Sequence, residues 1–233
     1  MSIRPALRHS FDLTIPEARA LQERLRSRVR EAELPDVLRR VAGADVSYDR
    51  GGPILFAAVV VLDPATFEVI ESVGVQSRAR FPYVPGYLSF REVPPLLEAF
   101  AKLTRVPDLL VCDGQGRAHP RRFGLACHLG VLLDLPAIGC AKTRLVGTHR
   151  EPGPRRGAHV RLLEAGECVG EVVRTREGVR PVYVSVGHRV SLPTARRLVL
   201  RLTRGYRLPE PTRAAHAEVN RLRREAGISL APA

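Results

Sequence analysis

Four apolar residues in a row, Leu109-Leu110-Val111-Cys112, stand between Pro107-Asp108 and the turn Asp113-Gly114-Gln115-Gly116. A short apolar run bracketed by proline and glycine predicts a strand buried on both faces, inside a sheet covered by helices. The strand ends in a carboxylate, and ligands of open α/β sheets bind just past the carboxyl ends of strands. Gly114 and Gly116 let the backbone turn sharply and leave it uncovered, so that a flat ligand can touch main-chain groups. Taken alone, Asp113-Gly114 is also what an ordinary turn looks like. Only the rest of the chain can decide between the two.

A chain of 233 residues can bury a full core, and a single α/β domain over residues 1–233 is the simplest organisation. The net charge of +13 favours a polyanionic partner such as nucleic acid. Only Lys102 and Lys142 among the 37 basic residues are lysine, an arginine bias that composition alone also produces. Cys112, Cys127, Cys140 and Cys168 show no C-x-x-C spacing and sit among apolar residues. They read as small core residues in a reducing compartment, which argues against a zinc site or a disulfide frame. No apolar run reaches the length of a membrane span and no signal-peptide core opens the chain, so the expectation is a cytoplasmic protein with no membrane partner.

Thr14-Ile15-Pro16-Glu17 has capping-box spacing, and Leu21, Leu25 and Val29 follow at helical intervals, predicting a surface helix over 15–32. Three strands are expected next, at Val41–Tyr48, Ile54–Leu62 and Phe67–Val75, with turns at Asp49-Arg50-Gly51-Gly52 and Asp63-Pro64. Turns this short make an antiparallel meander. Helical patterns at Leu96–Leu103 and Phe123–Leu133 then alternate with strands at Leu109–Asp113 and Ala137–Ala141. Three antiparallel strands followed by alternating strands and helices define an α/β fold with a mixed sheet. Thr148–Gly157 reads as an exposed loop, residues 159–164, 168–175 and 181–186 as a peripheral strand extension, and Thr194–Thr203 and Pro211–Ala226 as closing helices.

Asp45 lies inside the apolar strand Val41-Ala42-Gly43-Ala44-Asp45-Val46. A carboxylate there is costly to bury unless paired or bound to a metal, or else it faces solvent on an edge. Asp113 ends a strand that can lie beside it, and a divalent cation resolves the repulsion of two such acids. Oxygen ligands without suitably spaced Cys or His favour Mg²⁺ or Mn²⁺ over zinc. Pro82-Tyr83-Val84-Pro85 stiffens a loop around a tyrosine, suited either to insertion between bases or to a plain proline turn. Glu92 follows in Ser89-Phe90-Arg91-Glu92, a second capping-box pattern, although Pro94 and Pro95 count against a helix begun at Ser89. His119 and Lys142 fall near the same strand-end edge, where they can hold phosphate oxygens or move a proton, or simply be solvated. His216 sits on the last helix as an outer group of the site or an ordinary surface residue.

In this order and spacing the segments Ala42-Gly43-Ala44-Asp45-Val46, Pro82-Tyr83-Val84-Pro85-Gly86, Phe90-Arg91-Glu92, Val111-Cys112-Asp113-Gly114-Gln115-Gly116, Ala118-His119-Pro120-Arg121 and Gly139-Cys140-Ala141-Lys142 resemble the endonuclease V family. The resemblance runs from Val41 to Gly147 and resumes at Leu208-Pro209-Glu210-Pro211-Thr212-Arg213. It implies a ribonuclease H-like sheet flanked by helices, with Asp45 and Asp113 as direct ligands of Mg²⁺ (Mn²⁺ substituting) and Glu92 completing the acidic site. His216 matches a position where relatives carry histidine or a carboxylate, and Lys142 and His119 match positions near the scissile phosphate. Pro82, Tyr83, Val84 and Pro85 match a wedge that parts the strands beside a damaged base. Gly86, Leu88, Gly114, Gly116 and Leu125 match the lining of a base pocket.

The implied activity is hydrolysis of the second phosphodiester 3′ to deoxyinosine in DNA, leaving 5′-phosphate and 3′-hydroxyl ends, by a monomer with DNA as partner and inosine-containing RNA as an alternative polymer. Hypoxanthine presents an O6 acceptor and an N1–H donor where adenine presents the reverse, so main-chain groups can tell the two apart. A junction resolvase on the same sheet would need no base pocket, and a non-catalytic basic binding module would need no aligned Asp45, Glu92 and Asp113.

Overall fold

The structure, a computed structural model, describes residues 3–35, 37–48 and 52–227. Three strands, β1 (Val41–Tyr48), β2 (Ile54–Leu62) and β3 (Val69–Arg78), form the antiparallel meander that the short turns require. The turn expected at Asp49-Arg50-Gly51-Gly52 lies, but for Gly52, outside the described residues. The parallel strands β4 (Leu109–Cys112) and β5 (Ala137–Ala141) add to β1 on its other side. Then come β6 (His159–Glu164), β7 (Glu167–Val173) and β8 (Val182–His188). The full order is β3-β2-β1-β4-β5-β8-β7-β6, one eight-stranded mixed sheet. The last three strands, expected as a peripheral extension, are continuous with the centre because β8 pairs antiparallel with β5.

Among the described residues four helices cover the two faces of this sheet and a fifth, α1, packs beside them. The helices α2 (Leu88–Lys102) and α3 (Leu125–Leu133) bury Val93, Leu96, Phe100 and Leu129 against Ala42, Ala44, Leu110 and Cys112 on one face. On the other face α4 (Leu192–Arg201) packs on Val41, Leu109 and Val111, while α5 (Glu210–Glu225) packs on Phe56, Ala58, Val60 and Leu62. All four residues of β4 are 0% exposed, as a strand covered on both faces must be. The helix α1 (Ile15–Leu25) starts at the Thr14–Glu17 capping box and ends in a 3₁₀ turn at Arg28, short of the expected residue 32. It packs Leu21 and Leu25 on Phe81, Tyr87, Phe90 and Phe123. No helix among the described residues is long and apolar enough to cross a membrane.

Two expectations are corrected. The helix expected at Leu96 begins at Leu88 and carries Pro94 and Pro95 inside it. Each proline removes one backbone bond, but Val93, Leu96, Ala99 and Phe100 are buried against the sheet and Phe90 against α1, and that burial outweighs the loss. Of the four cysteines expected in the core, Cys112, Cys127 and Cys140 are buried and Cys168 is exposed, because β7 turns that position outward next to its tight turn. All four are free thiols.

Gly43 faces α5, where a Cβ would come within 1.8 Å of the Pro211 carbonyl oxygen. The helix therefore rests directly on the main chain of β1. Gly43→Ala is expected to cost about 1–3 kcal/mol by forcing the two apart. Urea unfolding checks this, and a variant as stable as the parent contradicts the close seating.

Buried His128 bridges His9 Nε2 (2.7 Å) and Ser89 Oγ (3.0 Å), and burial holds its pKa well below 6.5. Below pH 6.5 the unfolded chain takes up a proton here that the folded chain refuses, so this residue's contribution to stability falls as pH falls. The acids Glu92 and Asp113, both shifted up, act in the opposite sense, so the measurement must be a difference. The stability gap between the parent and His128→Gln should narrow below pH 6.5 by up to about 1.4 kcal/mol per pH unit. A gap constant between pH 7.5 and 5 would refute the assignment.

Candidate active site

Strand parity builds the acidic site. Val41, Leu109 and Val111 belong to the α4 face and Ala42, Ala44, Leu110 and Cys112 to the α2–α3 face. Alternation then puts Asp45 and Asp113 on the α4–α5 side. The register pairs Ala44 with Cys112, and the Asp113 amide donates to the Ala44 carbonyl at 3.3 Å, so the two acids emerge side by side at one sheet edge. Asp45 is not on an edge strand, because β1 lies between β2 and β4. Glu92 reaches the same edge from α2, on the opposite face of the sheet, and is 6% exposed.

Burial comes first in raising the Glu92 pKa, to about 8, and the charges of Asp45 and Asp113 add to it. Burial, and then Asp45, raises Asp113 also, opposed by Lys142. Lys142 Nζ lies 2.5 Å from Asp113 Oδ2 and His216 Nδ1 2.8 Å from Asp45 Oδ2. The bond to Asp45 raises the pKa of His216. Tyr48 donates its hydroxyl to Glu92, and Arg91 lies 5.3 Å from the centre of the Tyr48 ring. Parity turns Tyr48 to the α2 side of β1, away from Asp45, and that pattern was available in the sequence.

This donor set suits a hard divalent cation. The charge of Asp45 disfavours ionisation of both Glu92 and Asp113, and a cation among these oxygens removes that conflict. Among the described residues no three His, Cys, Asp or Glu side chains already converge as an ion cage. One Asp45 oxygen meets His216 Nδ1 and one Asp113 oxygen meets Lys142 Nζ.

Beside the acids lies a cavity of about 140 Å³ lined in part by Gly86, Leu88, Gly114, Leu125 and Leu145. Its rim carries Tyr83, Val84 and Pro85, with the Tyr83 ring 69% exposed; Pro82, just outside it, is exposed as well. Gly116, expected in the pocket, does not line it. A Cβ at Gly116 would meet the Val186 carbonyl at 2.1 Å, so this glycine lets the turn press on β8. His119 lines the cavity and is 4% exposed. Its Nε2 donates to the Gly86 carbonyl (2.9 Å) and its Nδ1 accepts from the Arg121 amide (3.2 Å). Burial pushes its pKa down to about 4. Ser89, Gln115, Gly124 and Leu145 also line the cavity and were not anticipated. Leu145 comes from the loop after β5, and nothing in its local sequence marks it.

The chain matches the family described as Endonuclease V over residues 23–217. It is 54% identical to an endonuclease V of Roseiflexus sp. (strain RS-1) over 212 residues, 89% of this chain and 95% of that one. The crystal structure of the Streptomyces avermitilis endonuclease V is 46% identical, with a TM-score of 0.89, covering 97% of this chain and 100% of that chain. The Ciona intestinalis endonuclease V, crystallised with a 24-mer DNA containing an inosine followed by a ribo-adenosine, is 26% identical with a TM-score of 0.79, covering 91% and 98%. A family match over most of the chain, joined to this edge of acids and the adjoining cavity, places the protein in the endonuclease V family.

Proposed function

We propose that this member of the endonuclease V family is a metal-dependent nuclease that recognises deoxyinosine in DNA and hydrolyses the second phosphodiester 3′ to it, in repair of deaminated DNA. The observation that carries the reading is the placement of three neighbouring acids, Asp45, Glu92 and Asp113, beside a largely apolar cavity rimmed by an exposed tyrosine. Asp45 and Asp113 would hold Mg²⁺, or Mn²⁺ in its place, with Glu92 completing the set and His216 at its border. When bound, such an ion makes water more nucleophilic at neutral pH and offsets charge on the phosphoryl oxygens.

The chain's own residues do the rest. Lys142, held by Asp113 at the strand end, offers its ammonium to a phosphate oxygen. Tyr48 orients the Glu92 carboxyl through its hydroxyl. Tyr83 stacks in the gap left by a displaced base, and the cavity takes the base. Attack in line with the departing 3′-oxygen leaves a 5′-phosphate and a 3′-hydroxyl. His119 is assigned to the pocket, since both of its ring nitrogens are occupied there. The chain is taken to act as a single-domain monomer, and four free thiols suit the cytoplasm.

A labelled duplex with one deoxyinosine should be nicked with Mg²⁺ and left intact with EDTA, and a matched adenine duplex should survive both. Cleavage indifferent to EDTA, or to the base, overturns the reading. In Asp113→Asn cleavage should disappear while binding of the deoxyinosine duplex is retained or tightened, because the substitution removes negative charge facing phosphate and releases Lys142. Normal cutting by that variant would show the acids to be misassigned.

Tyr83→Ala should weaken binding of the deoxyinosine duplex about tenfold or more, as loss of one base–aromatic stack does. The Mg²⁺ concentration needed for half-maximal cleavage should stay as it was. A change in the metal requirement alone would place Tyr83 at the acids instead of the wedge.

A further inference from the structure

One peptide carbonyl at the foot of the proline–tyrosine loop is held from three directions. The Gly86 oxygen accepts from Arg121 Nη2 at 2.5 Å, His119 Nε2 at 2.9 Å and Gln22 Nε2 at 3.2 Å. A carbonyl has two lone pairs, and one hydrogen bond satisfies most buried carbonyls. Three donors, one of them a guanidinium, fix its direction far more firmly than folding needs.

The donors are themselves held. Gln22, on α1, is 0% exposed and places its second Nε2 hydrogen on the Phe123 carbonyl (3.2 Å). Its Oε1 accepts from Arg121 Nε at 2.5 Å. Arg121 lies over the Tyr87 ring, 4.1 Å from its centre. His119 is fixed by the Arg121 amide at its other nitrogen. Gly86 has φ +79°, a conformation favoured by glycine, and a Cβ there would stand 2.9 Å from Arg121 Nη2. Gly86 also lines the cavity and follows Pro85 directly, whereas Gln22 and Arg121 do not line it.

From this we infer that Gln22, His119 and Arg121 form a clamp on the Gly86 carbonyl that sets the angle of the wedge and the near wall of the base pocket, which makes the buried glutamine of α1 a positioning residue for base selection. The inference rests on the pocket and wedge roles given under the proposed function. Groups that read a base through main-chain contacts must be held to fractions of an ångström, and a glycine cannot do this for itself. A merely structural Arg or Gln would stabilise the fold without favouring one base over another.

The test uses the full chain carrying Asp113→Asn, so that binding is read without cleavage, with Mg²⁺ present. Arg121→Met, Arg121→Lys and Gln22→Leu are compared with Arg19→Ala, an exposed position elsewhere on α1. Dissociation constants are measured for duplexes carrying deoxyinosine or adenine at one position, together with thermal unfolding. Hydrogen–deuterium exchange of the segment 82–90 is followed in the free protein.

Arg121→Met and Gln22→Leu should lower the preference for deoxyinosine on the order of tenfold. Affinity for the adenine duplex should stay within about twofold, since that binding is carried by phosphate contacts. Exchange in 82–90 should quicken, Arg121→Lys should recover part of the preference, and Arg19→Ala should change nothing. Equal losses for both duplexes, or a preference and exchange unchanged in the Arg121 variants, would overturn the clamp. If the parent itself shows no preference for deoxyinosine, the substrate reading fails, and exchange alone then decides whether the clamp exists. Should Gln22→Leu not fold, the two Arg121 variants settle the question.

Discussion

The structure depends on two carboxylates being carried out of the core side by side. Ala44 pairs with Cys112 across parallel strands, so the next residue on each chain is an acid on the same face. At this edge Asp45 and Asp113 are half-buried, and each finds a side-chain partner: His216 from α5 and Lys142 from the loop after β5. Glu92 reaches the edge from α2 on the other face of the sheet, and its burial, with the charges of Asp45 and Asp113, raises its pKa. Three acids brought to one sheet edge offer the oxygen donors that a hard divalent cation takes.

Close main-chain contact is the second constraint, and glycine permits it. At Gly43 the start of α5 lies on β1, which is how His216, five residues beyond Pro211, comes to face Asp45. At Gly116 the turn after the acid lies against β8. The glycines after Asp113 thus divide the work: Gly114 opens into the cavity, and Gly116 locks the turn to the sheet extension. The acid and the cavity share one turn, but only the first of its glycines lines the cavity.

The prolines of α2 show how a local rule yields to packing. Read locally, Pro94 and Pro95 forbid a helix through Glu92, and without that helix Glu92 has no fixed place. The buried face from Phe90 to Phe100 holds the helix intact through both prolines, and Glu92 is thereby delivered one turn ahead of them, at the sheet edge. The apolar residues flanking the acid supply the energy that keeps it in position.

By itself the sequence determined the strands β1, β2, β4 and β5, the acids at their ends and the stiff tyrosine loop, because each is written in consecutive residues or a short period. It also carried the family resemblance through the order of those pieces. Only the tertiary structure decided that β8 joins β5, that His119 and Leu145 line the cavity, and that Gln22 reaches Gly86 from 64 residues away. These contacts join segments distant in the chain, and the direction of a buried polar side chain depends on which partner the fold brings within hydrogen-bonding distance. No local pattern encodes that choice.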